Sequence, residues 1–224
     1  MREKLLSDEF TLDKNLKGIK FLIGSGLAFS LMSVCVKAIG GRIPISELVF
    51  ARATISIIIT RFFLYKNKIN PWGYQKRLLI IRGLLGTIAL FCIFQALTVL
   101  PIATATVIQY IYPTFTVICA YIILKEFILR RIVYSIIIGW VGILLVSRPE
   151  FTIRSNFQQT ILAISIAILG ALMTSLAYIC VKKLSTKEHP LVIIYYFPLI
   201  SIPVSIPFII NDFVLPIGSD WLWI

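Results

Sequence analysis

The chain has 224 residues, 58% of them hydrophobic and 14% charged, and its mean hydropathy is +0.93. That leaves too little polar surface to coat a water-soluble globule of this length, so a bilayer is the natural solvent. The net charge of +12 does not indicate nucleic acid, because the 22 Lys and Arg lie almost wholly between apolar runs and form no basic stripe.

The leader, residues 1–20, is mixed in charge (Glu3, Asp8, Glu9, Asp13), and no clear small-residue cleavage site closes the apolar run after it. It reads as a cytoplasmic leader followed by a retained span. A crossing helix needs about 20 mostly apolar residues to cover about 30 Å of hydrocarbon, where backbone amides must bond within the helix. Seven runs qualify: Phe21 to Ile39, Ile43 to Leu64, Gly83 to Leu100, Ala103 to Leu124, Ile132 to Val146, Ile161 to Val181 and Leu191 to Ile210. The fifth is short, but Arg131 and Arg148 bracket it and can snorkel to the two interfaces. The expected fold is therefore all-α and integral to the membrane, with about seven transmembrane helices.

Basic residues in short loops set orientation. With the N-terminus in the cytoplasm, 17 Lys and Arg fall inside; Lys37, Arg42, Arg148 and Arg154 fall outside, and Arg52 lies within a span. The opposite orientation would reverse this bias. At an offset of 145 residues, Leu27, Ser30, Leu31, Cys35, Val36 and Lys37 match Leu172, Ser175, Leu176, Cys180, Val181 and Lys182, and each stretch precedes a proline, Pro44 or Pro190. Five helices separate the two copies, which makes this an inverted repeat unless two apolar helices match by chance.

Depth along the helices, at about 1.5 Å per residue, picks out candidate site residues. Arg52 lies about 13 Å from the outer end of the second span, near the midplane. A charge there faces the bundle interior, either to contact a solute or to join helices through carbonyls or a carboxylate. Gln95 in the third span and Gln109, Tyr110 and Tyr112 in the fourth come out about 9 to 14 Å deep. They can line one cavity with Arg52, or each can satisfy a neighbouring helix. Pro113, in mid-span, removes an amide donor and is expected to kink the fourth helix. Lys37 and Glu47 sit at the outer ends of consecutive antiparallel helices and are expected to pair, as a gate or to lower the cost of burying both charges. Arg82, Lys125, Glu126 and Trp140 read as interfacial anchors. His189 stands in a loop beside Pro190 with no second ligand to work with.

Cys35, Cys92, Cys119 and Cys180 all lie in apolar runs, with no CxxC pair and no metal-ligand spacing, so no metal or cofactor is expected. Nor does a phosphate loop, nucleophile elbow, HExxH or carboxylate pair appear, which leaves ATP-driven pumping and hydrolysis without apparatus. A carrier working down a gradient needs none.

From the first to the fifth span the chain resembles the EamA-type carriers of the drug/metabolite transporter superfamily. The resemblance rests on Lys37, Glu47-Leu-Val-Phe-Ala-Arg52, Arg82-Gly-Leu-Leu-Gly86 and Ala96-Leu-Thr-Val-Leu-Pro101-Ile-Ala-Thr-Ala105. It continues through Pro113-Thr-Phe, Lys125-Glu126, Gly139-Trp-Val-Gly142 and Arg148-Pro149. It implies a first five-helix repeat over 21–148, a loop over 149–160, and over 161–224 the first two helices of an inverted second repeat. It also implies alternating-access transport of a small organic metabolite across a bacterial inner membrane, with membrane lipid as the surrounding partner. Arg82-Gly-Leu-Leu and Thr104-Ala-Thr-Val107 are most similar to bacterial S-adenosylmethionine uptake carriers. The family has ten helices, so the expectations also include a shortened remnant without transport, and a homo-oligomer or second chain that completes the cavity.

Overall fold

The computed structural model describes residues 2–39, 42–125, 127–147, 157–212 and 214. Glu126, Arg148, Pro149, Arg154 and residues 215–224 lie outside the described residues. Every regular element among those described is a helix: α1 (Arg2–Ile39), α2 (Ile45–Lys66), α3 (Lys76–Val99), α4 (Ile102–Gln109), α5 (Tyr112–Leu124), α6 (Arg130–Ser147), α7 (Phe157–Leu184) and α8 (Pro190–Asp212). Prolines open several of them, where a missing donor costs nothing: Pro44 before α2, Pro101 before α4 and Pro190 at the start of α8.

The helices depart from the apolar runs in four places. The leader is continuous with α1, and α3 starts at Lys76, seven residues before the expected Gly83. Meanwhile α7 starts at Phe157, so its first turn lies in the expected 149–160 loop. The fourth run is divided into α4 and α5 at Tyr110 and Ile111. Polar or charged helix ends extend beyond the hydrocarbon, so hydropathy alone underestimates helix length.

Among the described residues, six stretches are long and apolar enough to cross a membrane: 18–39, 45–66, 76–99, 102–124, 158–184 and 190–210. α6 is not among them, and its crossing is assigned from connectivity alone. One buried apolar layer joins Val36, Ile39, Val49, Leu97, Leu100 and Ala163, and a second joins Leu64, Leu79, Leu184 and Val192. The start of α7 thus lies in the layer that also holds the start of α4, and its end lies in the other. After α4 and α5 have crossed, α6 must return, and its 18 residues span about 27 Å.

α3 is the central post, packed on α7 and α8 and, less extensively, on α1, α2 and α4. A methyl on Gly83 would stand 2.7 Å from Ile200 Cγ1 and 3.0 Å from the Tyr196 carbonyl oxygen, so only glycine admits α8 this close. Within the same contact the buried hydroxyls of Thr87 and Ser201 are 2.7 Å apart and share a hydrogen bond. Opposite charges hold the two ends of α3. Glu188, in the α7–α8 loop, accepts the N–H groups of Tyr74 and Gln75 at 2.6 and 2.5 Å. At the other end the Lys37 ammonium donates to the carbonyls of Leu97, Thr98 and Leu100 at 2.9, 3.3 and 2.8 Å. Each charge complements the helix dipole and satisfies terminal groups that have no partner within the helix.

Candidate solute site

Between the two apolar layers lies a cavity of about 630 Å³, walled by α1, α2, α3, α4, α5, α7 and α8. Its two charged residues are Arg52 and Arg82. Arg52 shares the inward stripe of α2 with the buried Leu48, Val49 and Ala53. Arg82 shares that of α3 with Leu79, Gly83 and Gly86. The guanidinium carbons stand 5.9 and 5.2 Å from the centroid of the same ring, Phe197 on α8, which bounds their separation at about 11 Å. Gly86 makes room for that ring, since a methyl there would meet Phe197 Cδ2 at 2.9 Å.

Buried nitrogens of both side chains, Arg52 Nη1 and Arg82 Nε and Nη1, have no hydrogen-bond partner among the described residues. No Asp or Glu lines the cavity among the described residues. Placing an arginine this deep costs about 3 kcal/mol or more, a single ring face returns about 2 kcal/mol, and here one ring serves two arginines, so the arrangement is short of negative charge.

The break in the fourth span supplies the polar wall. Pro113, in the first turn of α5, has no N–H to give the Gln109 carbonyl, and the helix is interrupted at Tyr110 and Ile111. Gln109, Tyr110 and Tyr112 all line the cavity. Tyr112 stacks on Tyr178 of α7 at 5.4 Å between centroids and 15° between planes, with Tyr110 a further 6.3 Å from Tyr112. The same tyrosines border a second space of about 710 Å³ between α5 and α6, where Arg131 is the charged residue of a mostly apolar lining. Trp140, expected as an interfacial anchor, forms part of that wall and donates from Nε1 to Thr114 Oγ1 at 3.1 Å.

The structure thus brings Arg52, Gln109, Tyr110 and Tyr112 to one cavity, with Pro113 at the break beside them. Gln95 does not join them. It is exposed, two residues beyond Ile93 and so about 160° round α3 from that lining residue. Equal depth says nothing about which side of a helix a residue occupies. The expected Lys37–Glu47 pair is also absent: Lys37 caps the α3 carbonyls, and Glu47 Oε1 accepts the Val214 N–H at 2.7 Å. A helix C-terminus with unpaired carbonyls is the stronger attraction for the ammonium.

Arg82, Thr174, Tyr178 and Phe197 were missed as cavity residues. For Arg82 a signal exists, since a helix that starts at Lys76 carries it about 9 Å inward from its end. The aromatic partners become visible only once α7 and α8 are placed against α3.

The EamA-like transporter family matches this chain over residues 16–148. The chain belongs to that family. Among EamA-like relatives, the pseudopaline exporter CntI of Pseudomonas aeruginosa is 26% identical over 205 residues, covering 92% of this chain and 70% of the relative. The S-adenosylmethionine uptake transporter of Rickettsia prowazekii is 28% identical over 202 residues, 90% of this chain and 67% of the relative. The mouse solute carrier family 35 member G1 is 26% identical over 219 residues, 92% of this chain and 59% of the relative. A solved crystal structure superposes with a TM-score of 0.68 at 19% identity, covering 88% of this chain and 69% of that one, and so shares the fold. By family and by its apolar helices, this EamA-like chain is a multi-pass membrane protein of the small-solute transporter type.

Proposed function

We propose that the chain is a secondary carrier that moves a small organic metabolite across a bacterial inner membrane, by alternating access around the Arg52–Arg82 cavity, with its N-terminus in the cytoplasm. The observation that carries this reading is the position of the cavity: polar groups from six helices converge between two apolar layers. Lys37 and Lys182 are each third from the end of their helix, and Pro44 and Pro190 each introduce the next, which supports two inverted repeats over 21–148 and 161–224. The Rickettsia relative is named for S-adenosylmethionine uptake, a narrower reading that the two arginines of this cavity disfavour. The test is flux into proteoliposomes holding the purified chain. Saturable uptake of a metabolite, abolished by Arg52→Ala while membrane insertion is intact, is the expected result. Normal uptake by that variant removes Arg52 from the mechanism, and no flux with any metabolite removes the carrier.

A further inference from the structure

We infer that the solute is an organic anion, bound through a carboxylate held between Arg52 and Arg82. This rests on the carrier reading of the same cavity and names its substrate class. Two arginines fixed on inward stripes of neighbouring helices share one aromatic ring, and three of their buried nitrogens have no hydrogen-bond partner among the described residues. Two acidic side chains are committed at the ends of the bundle, Glu47 in the first turn of α2 to the Val214 N–H and Glu188 in the α7–α8 loop to the start of α3.

A carboxylate answers both deficits. It neutralises charge and offers two oxygens that match the planar guanidinium fork, and the neighbouring cation gives a second carboxylate a place within the same cavity. Phe197, Tyr112 and Tyr178 supply flat apolar walls for the carbon skeleton, and Gln109 adds an amide beside them. A net cation meets the reverse situation. S-adenosylmethionine has a carboxylate, but its sulfonium and ammonium leave it net positive, and both would enter a cavity with two cations and no lining carboxylate among the described residues.

The experiment measures binding and flux on the full chain. Detergent-purified protein is titrated with aliphatic and aromatic dicarboxylates, glutarate and isophthalate among them, each beside its uncharged diamide, with S-adenosylmethionine as the cationic counterpart. Thermal stabilisation is expected from the acids at concentrations at least tenfold below those of the diamides. In Arg52→Gln and in Arg82→Gln that preference should be lost. The comparison of acid with diamide on the unaltered chain stands even where a variant fails to fold. Acids bound and carried support both readings, and acids bound with no compound carried leave the inference standing while the carrier reading fails. Saturable flux confined to neutral or cationic compounds overturns the inference and leaves a carrier. No difference between acid and diamide in either measurement overturns it as well.

Discussion

At the scale of single residues, Lys37 and Glu188 do the same work at opposite ends of α3. Each is the charge that completes a set of helix-terminal groups, and each comes from a hairpin that joins other helices. Removing the Glu188 carboxylate leaves the Tyr74 and Gln75 N–H groups unpaired where the residue is buried, at a cost of about 2 kcal/mol or more. Glu188→Ala should therefore lower the melting temperature of the detergent-purified chain by several degrees, while Glu47→Ala should lower it less, because its one contact is at an exposed amide. Equal melting temperatures for the two variants would dismiss the clamp. Arg52, Gln109, Tyr110 and Tyr112 were legible in the sequence because a polar group deep in an apolar run is costly unless it faces the interior. Gln95 and the Lys37–Glu47 pair were misread because depth is one coordinate, and the other, rotation about the axis, depends on which helices pack where.

At the scale of elements, a helix stands at each expected run and six of them are long and apolar enough to cross, while the ends were not legible. The start of α3 was hidden by Lys76 and Arg77, which look like loop residues until the helix is seen to continue through them, and that error concealed Arg82. The α4–α5 break was signalled by Pro113, which has no N–H for the Gln109 carbonyl, although proline alone does not dictate a break, since α8 continues through Pro198, Pro203 and Pro207. The contact between α3 and α8 makes its own prediction. In Gly83→Ala the added methyl meets the Tyr196 backbone oxygen, which cannot swing away, so the two helices must separate at a cost of about 1 to 3 kcal/mol. Gly139 on α6 has nothing within 4 Å of the same position, and alanine there gains helix propensity. Melting curves of the two variants should fall on opposite sides of the unaltered chain or leave Gly139→Ala unchanged. Similar destabilisation by both would mean that helix packing at Gly83 is not tight.

For the whole molecule, one geometric fact links orientation to the proposed mechanism. The hydrogen bonds from Tyr74 and Gln75 to Glu188 place the α2–α3 and α7–α8 loops on the same face, whatever side of the membrane that face occupies. The α1–α2 hairpin, with Lys37 on the end of α3, belongs to the other face. The distribution of basic residues is expected to put the first face in the cytoplasm, since with Arg82 assigned to the cavity 16 of the 22 Lys and Arg lie toward that face or in the leader. In a chain whose native cysteines are replaced by serine, Asn70→Cys and Thr186→Cys should resist a membrane-impermeant maleimide in intact cells and react in inverted vesicles. Arg42→Cys should behave oppositely. If Asn70→Cys and Thr186→Cys react from different sides, the crossing assigned to α6 is wrong, because two loops share a face only when an even number of crossings separates them, here α3, α4–α5, α6 and α7. If all three react as a mirror image, the fold survives and the proposed direction of the inverted halves does not.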